Sequence, residues 1–263
     1  PYKVIKNLEN YKNFKVLIFD QSNDYKLKQK IKKKFPKLQY YGLTNKNKGF
    51  AKGINHLVKK VKTKYFLCTQ PDIFINQKSI LELKKIHIKK KNCIISVPKI
   101  IGLKNYKVKK NKKENIVPIK DMIGAVFLAD KKKFSYLKMF DENFVFYWED
   151  VDLSNRIQKS KFKIYINHKT IAKHSGSAST VFDLKTFFIR KSNFKYGEYL
   201  YQNKYKKLKF IKIIREPIMN LLFSFFYLMT LRPKNFFEKI FYIYGIFKFI
   251  IFKLFNTNYK FIF

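Results

Sequence analysis

Negative charge is scarce in this chain: 17 Asp and Glu stand against 58 Lys and Arg in 263 residues, a formal charge of +41. Cysteine occurs twice and tryptophan once. The two cysteines, Cys68 and Cys93, each lie inside an apolar run and lack metal-type spacing. That argues against a disulfide scaffold or a cysteine-built zinc module, and reads as two reduced core residues of a cytoplasmic protein. Neither a P-loop nor a GxGxxG fingerprint is present, so a bound nucleotide needs another device. No secretory-type segment opens the sequence, and its first residue is Pro rather than Met, which leaves open what precedes Pro1.

With 46% hydrophobic residues the chain can bury a full core, and its length suits one α/β domain plus an appendage. The positive excess has two readings. Lys, Asn, Ile, Phe and Tyr, the residues of A/T-rich codons, are all abundant, so compositional drift explains part of it; an electrostatic role toward an anionic surface is the other. A basic nucleic-acid-binding module is a rival suggested by the charge and the 18% aromatics. The lysines spread along the chain instead of forming one stripe, and no binding motif accompanies them, so nucleic acid is not the expected partner.

From residue 15 to about 98, short β-rich runs alternate with lysine-rich amphipathic stretches. Strands are expected at 15–19, 38–42, 65–69 and 93–97, and helices at about 24–34, 50–62 and 78–89. This βαβα order predicts an α/β fold with a mostly parallel central sheet. Residues 102–115 read as a loop, 122–129 as a strand, 149–160 as a helix, and 162–166 with 170–173 as two short strands. Beyond about residue 185 the character changes. A helical stretch to about 205 precedes two apolar segments, 218–231 and 240–255. The first is shorter than the about twenty residues of a bilayer span, and the second carries Lys248 and Lys253. Helices lying in a membrane interface, lysines toward phosphates and Phe and Ile toward acyl chains, fit this pattern; a hairpin packed on the main domain or on a second subunit is the alternative.

Against the basic background five carboxylates fall within twelve residues: Asp141, Glu142, Glu149, Asp150 and Asp152, around the only tryptophan, Trp148. A helix dipole accounts for one or two acids in a first turn, and this cluster exceeds that. Asp150 is the candidate general base, a carboxylate beside an aromatic wall, with Glu149 as its catalytic neighbour. In a parallel sheet, strand ends share one crevice, and Asp20 and Asp72 both fall at such ends. Asp72 follows Gln70-Pro71 on a stiff turn, and with His174 it makes a mixed oxygen and nitrogen set suited to Mg²⁺ or Mn²⁺. The segment around Asn47 and Gly49 joins a strand to a helix and offers N–H groups to a phosphate.

Taken in order, these pieces resemble the inverting glycosyltransferases of family 2, of the GT-A fold, and most closely their bacterial rhamnosyltransferase-like branch. The match runs over about residues 4–185. It comprises Asp20-Gln21-Ser22-Asn23-Asp24, Asn47-Lys48-Gly49-Phe50 with Asn55, Gln70-Pro71-Asp72, Gly124 within the 122–128 strand, Asp141-Glu142, Glu149-Asp150 and the residues after them, and His174 with Ser177. The resemblance implies a GT-A domain over 1–185; the apolar, lysine-carrying pattern makes 186–263 the expected membrane-associating helical region. The resemblance also implies that Asp20 contacts the nucleotide base of a UDP- or dTDP-sugar, with Ser22, Asp24, Asn47, Gly49, Asn55 and Gln70 in the donor-binding segments. Asp72 is then the surviving acid of the Asp-x-Asp metal position, His174 a metal or diphosphate contact, and Asp150 the base. The acceptor would be a lipid-linked or cell-surface glycan, met at the cytoplasmic face of the inner membrane. Two departures stand out: Gln70 replaces an Asp or Asn, and residues 1–14 show no opening hydrophobic strand. Both motivate a second reading, an inactive family member serving as a membrane-anchored partner.

Overall fold

The structure, a computed structural model, describes residues 14–22, 24–42, 47–102, 114–174 and 183–255. The expectations for residues 1–13, for most of the loop at 102–115 and for Ser177 fall outside these. In chain order the elements are β1 (Leu17–Asp20), α1 (Tyr25–Lys34), β2 (Gln39–Gly42), α2 (Phe50–Lys60), β3 (Tyr65–Thr69), β4 (Ile73–Ile75), α3 (Gln77–Lys89), β5 (Cys93–Ile101), β6 (Ile116–Ile119), β7 (Val126–Asp130), α4 (Lys131–Tyr136), α5 (Glu149–Gln158), β8 (Lys163–His174), α6 (Leu184–Lys204), α7 (Phe210–Met229) and α8 (Pro233–Phe255). Several helices start at the side-chain caps their sequences offer. Asp24 accepts from the Leu27 amide at 2.9 Å and Asn76 from the Ser79 amide at 2.7 Å, each satisfying an N–H that has no partner inside the helix.

β1 and β2 pair in parallel, and the larger sheet runs β3-β7-β5-β8-β4 with β6 also on β8. The α/β class holds, but the sheet is mixed rather than mostly parallel. Besides β1–β2, only β5–β8 is parallel; β3–β7, β5–β7, β4–β8 and β6–β8 are antiparallel. The reason lies in the connections: parallel neighbours need a crossover, which β5 and β8 have, and among the described residues no helix lies between β5 and β7. β7 therefore returns antiparallel between β3 and β5. β8 is one long strand where two short ones were expected, with a register shift opposite the Pro98–Lys99 step of β5, where proline lacks the N–H a regular ladder needs.

Both faces of the large sheet are covered. Ala51 and Val58 of α2, Phe134 of α4 and Leu153 and Ile157 of α5 pack on Phe127, Ile95 and Ile166. Ile80, Leu83 and Ile86 of α3 pack with Val126, Leu128 and Ala172. A third cluster, Tyr196, Tyr199, Ile246 and Phe249, closes around Phe144 and so ties α6 and α8 to the acidic segment.

α7 is built the other way round. Its buried residues are Asn220 and Ser224, while Phe210, Ile211, Leu221, Leu222, Phe225 and Phe226 are all more than half exposed. The polar face is held by ions: Glu216 takes Lys195 Nζ at 2.5 Å and the Tyr199 hydroxyl at 2.7 Å. Among the described residues no helix is long and apolar enough to cross a membrane.

Candidate active site

At the end of β1, the Asp20 carboxylate accepts the Ser22 amide at 2.8 Å and the hydroxyl of Tyr40 from the paired strand. Burial raises its pKa, but these bonds outweigh burial and hold Asp20 below the usual carboxylate range. Ser22 and Asp24 form the turn that starts α1: the Ser22 hydroxyl accepts the Asp24 amide at 3.3 Å while Asp24 caps the helix. Gln21, next to Asp20, reaches across to the segment before α2, its Oε1 accepting the Lys48 amide at 2.7 Å and its Nε2 donating to the Gly49 carbonyl at 3.1 Å. Asn47 closes that turn by accepting the Gly49 amide at 2.9 Å.

Gly49 has φ +87°, a conformation costly for residues with a side chain, and a Cβ there would lie 2.4 Å from the Val145 carbonyl oxygen. The chain needs that approach because Val145 accepts the Phe50 amide at 2.9 Å. Asn55, one turn into α2, is 2% exposed and spends its amide on the same region: it donates to the Phe140 carbonyl (2.9 Å) and to Glu142 (3.1 Å) and accepts the Phe140 amide (3.1 Å).

The turn after β3 is fastened by the Gln70 amide, which donates to the Ala125 carbonyl at 3.0 Å. Asp72 follows it, and β4 then pairs with β8 so that Ile73 sits opposite His174. That register brings His174 Nε2 to 3.2 Å from Asp72 Oδ2. Among the described residues no group of three or more His, Cys, Asp or Glu is placed to share an ion. Asp72 and His174 offer one hard oxygen and one borderline nitrogen, a donor pair whose chemistry fits Mg²⁺ or Mn²⁺.

The five acids of the cluster divide by partner. Asp152 is fully buried and neutralised by Arg156 (2.9 Å), Lys204 (2.7 Å) and the Tyr205 hydroxyl (2.8 Å). Asp141 pairs with Lys204 at 2.6 Å, and Glu142 holds Asn55. Glu149 and Asp150 are different: no cation pairs with either among the described residues. Asp150 is held by neutral donors, the Gly124 amide at 2.9 Å to Oδ2 and the Val151 amide at 2.9 Å to Oδ1. Burial pushes the Asp150 carboxyl above the usual carboxylate range against the pull of those two bonds, and the charge of Asp121 adds to the rise. Glu149 is 7% exposed, its Oε2 has no hydrogen-bond partner among the described residues, and burial, then the Asp150 charge, pushes it up as well. Both sit just after Tyr147 and Trp148, consecutive residues at φ 67° and 72°. Strain of this kind persists only where packing over-determines it.

One dipeptide joins the pieces. Gly124 donates to Asp150 while the next residue, Ala125, accepts from Gln70. The Gln70–Asp72 turn and the acidic helix start are therefore fastened to consecutive residues. A Cβ on Gly124 would also stand 3.5 Å from the Phe50 ring, so the segment after Gly49 closes on the same place. The structure brings Gly49, Gln70, Asp72, His174, Glu149 and Asp150 into one connected region, joined to Asp20 through Gln21. It gives Ser22 and Asp24 a turn and cap, and Asn55 a buried clamp on the Phe140 loop. Sequence reasoning did not single out Tyr40 or Asp121, and it placed Gln21 and Gly124 inside matched motifs without a role for either.

Compared with known proteins, the family model described as "Glycosyl transferase family 2" matches residues 2–157. No curated protein sequence matches significantly. Among solved structures the fold is similar to that of GalNAc-T7 with UDP, GalNAc and Mn²⁺, at TM-score 0.53 and 13% identity, covering 70% of this chain and 41% of that one. It is also similar to S. aureus TarS 1–349 in complex with UDP-GlcNAc, at TM-score 0.52 and 13% identity, covering 99% of this chain and 89% of that one. At such identity the likeness is one of fold.

Proposed function

Because the chain belongs to glycosyl transferase family 2, we propose that it moves a sugar from a nucleoside diphosphate donor to an acceptor hydroxyl, with Asp150 as the base. The observation that carries this is the state of Asp150: half-buried, raised in pKa, held by two amides and paired with no cation among the described residues. Such a carboxylate is oriented yet still basic, whereas the oxygens of Asp152 are taken up by two cations. The acceptor oxygen attacks the anomeric carbon as its proton passes to Asp150. The bond from that carbon to the diphosphate breaks, its electron pair leaves with the phosphate oxygen, and the configuration inverts. Asp72 and His174 would hold Mg²⁺ or Mn²⁺, which when bound neutralises the diphosphate leaving group. The nucleotide base lies toward Asp20; the Lys48, Gly49 and Phe50 amides are already taken by Gln21, Asn47 and Val145, so the segment around Gly49 shapes the site and does not bind the phosphates through those N–H groups.

The donor is a UDP- or dTDP-sugar, and the rhamnosyltransferase-like motifs favour dTDP-rhamnose. GalNAc-T7, solved with UDP and Mn²⁺, and TarS, solved with UDP-GlcNAc, support a nucleotide-sugar donor. The acceptor is a lipid-linked or surface glycan, reached from the cytoplasmic face of the inner membrane by a transferase unit over residues 1–185 on which the helices beyond 185 act as a peripheral anchor. Support for the anchor comes from α7, whose apolar side faces outward. The test is nucleotide release from a panel of UDP-, dTDP- and GDP-sugars with Mn²⁺. The Asp150→Asn chain should bind donor as the native chain does while transfer falls by about 10²- to 10⁴-fold. Normal turnover in that variant removes Asp150 from the role.

A further inference from the structure

A cavity of about 860 Å³ opens between α6, the first turns of α8 and the turn that precedes the acidic helix. Tyr147, three residues before Asp150, forms one wall, with Phe194 and Tyr242 among the other rings. Its charged side chains are not equivalent. Glu238 is engaged by Lys191 at 2.9 Å and by the Tyr242 hydroxyl at 2.6 Å. Asp183 is spent as the cap of α6, accepting the Thr186 amide at 2.8 Å and hydroxyl at 2.6 Å. Arg190 and Lys234 remain. Arg190 gives its Nε–H to the Tyr147 hydroxyl at 3.1 Å, a neutral partner, and neither cation pairs with a carboxylate among the described residues.

We propose that this cavity is the acceptor subsite and that it recognises a phosphate group carried by the acceptor, with Arg190 and Lys234 as the anion contacts. The inference rests on the reading of Asp150 as base, because Tyr147 lines the cavity and belongs to the turn from which the Asp150 helix starts. A guanidinium with one N–H fixed on Tyr147 keeps its other donors in a planar fork, the arrangement that matches phosphate oxygens. The rings supply faces against which a sugar or an apolar chain lies. The subsite is linked to the base by one hydrogen bond and a short run of chain: Arg190 donates to the Tyr147 hydroxyl, Tyr147 and Trp148 form the left-handed pair that starts α5, and Asp150 is in its first turn. A phosphate bound at Arg190 therefore bears directly on where Asp150 stands. The same chemistry arrives either on a lipid carrier or in a phosphate-bearing polymer.

The experiment is calorimetric titration of the whole chain, without donor, using octyl phosphate below its micelle concentration, glycerol 1-phosphate and glucuronate as separate probes. The Arg190→Ala/Lys234→Ala chain should lose about tenfold or more in phosphate affinity, and Arg190→Lys, which keeps the charge and loses the fork, should fall between. A Lys59→Ala/Lys89→Ala chain, with equal charge removed from exposed positions, should bind as the native chain does. Tighter binding of octyl phosphate than glycerol 1-phosphate assigns the phosphate to a lipid carrier, and equal binding assigns it to a polymer. Undiminished affinity in the Arg190/Lys234 variant, an equal loss in the Lys59/Lys89 variant, or glucuronate bound as well as phosphate overturns the proposal. Circular dichroism of each variant separates lost binding from lost fold. Because no turnover is read, failure here leaves the role of Asp150 standing, and failure of that role leaves the anion site without its acceptor assignment.

Discussion

His174 Nε2 stands 3.2 Å from Asp72 Oδ2, although the two residues are a hundred positions apart, because Ile73 on β4 registers with His174 on β8. The turn that carries Asp72 is fastened to Ala125 and Asp150 to the preceding residue, Gly124. Asp72→Asn and His174→Ala should each weaken Mn²⁺-supported UDP binding by about tenfold to a hundredfold, the scale on which perturbing a metal's surroundings acts. Titration of UDP with and without Mn²⁺ checks this. Equal affinity in native and variant chains would place the metal elsewhere.

The acid limb of the transfer rate should lie above the pH at which an ordinary aspartate loses its proton, since burial lifts the Asp150 carboxyl and a base works only when ionised. Activity therefore rises with pH through the raised Asp150 value. Asp121 contributes to that rise by charge, so Asp121→Asn should move the acid limb to lower pH and leave the plateau rate near native. A pH profile of kcat for the two chains decides it; a limb that stays in place shows that the Asp121 charge is screened.

Much of this arrangement was legible in the sequence. Glu149 and Asp150 stood out because acids are rare in a chain of this charge, and Asp20, Gly49 and Asp72 because strand ends in an α/β fold converge. The strand direction was less legible: β7 slips antiparallel between β3 and β5, and nothing in its period distinguishes that from a parallel neighbour. Nor did local pattern show that Asn55 would be consumed by the Phe140 backbone, a partner 85 residues away. Asp152 looked like Asp150 from composition alone. Only the fold supplied Lys204 and Tyr205, from a helix fifty residues later, to neutralise it.

Glu149 should make stability depend on pH. Burial and the Asp150 charge raise its folded-state pKa, so the folded chain holds a proton that the unfolded chain releases more easily. The stabilisation is complete below the ordinary glutamate range and is lost as pH rises through the raised value. Glu149→Gln removes this titration, and its unfolding free energy should be flatter than the native chain's between about pH 5 and pH 9. Urea denaturation across that range reads the slope, and parallel slopes in both chains would mean that Glu149 is solvated.

Gly197 of α6 is where the helical region touches the acidic turn. A Cβ there would lie 2.8 Å from Trp148 Cδ1 and 3.2 Å from the Tyr147 carbonyl oxygen. The indole has little room to yield, since its ring centroid is 5.8 Å from that of Phe194 and 5.3 Å from that of Tyr201. Gly197→Ala should cost about 1–3 kcal/mol as an overpacked contact, and it should lower kcat because the turn it displaces carries Glu149 and Asp150. Urea unfolding and transfer kinetics of one preparation read both effects. Native turnover in a destabilised chain would show that the turn tolerates movement.

α7 offers the remaining prediction, because its exposed side chains have no reason to face water. Leu221, Leu222 and Phe225 are each 58% exposed or more, whereas Asn220 and Ser224 are turned inward and Glu216 is tied to Lys195. A large outward apolar patch on a folded chain marks an interaction surface, and the net charge of +41 selects an anionic one. Deleting the helical region would be a poor test, since Tyr196, Ile246 and Phe249 form a core around Phe144. Replacing Leu221, Leu222 and Phe225 together with serine touches no buried position. Each such side chain gains up to about 1.5–3 kcal/mol when fully removed from water, so partial insertion of three exceeds the roughly 1.4 kcal/mol that makes a tenfold difference. Sedimentation with vesicles containing an anionic lipid should show at least that loss for the triple variant, at an unchanged midpoint of thermal unfolding. The native chain should also bind less as salt rises, because screening weakens the lysine part of the attraction. Equal sedimentation of native and variant chains would leave α7 as a surface for a protein partner instead.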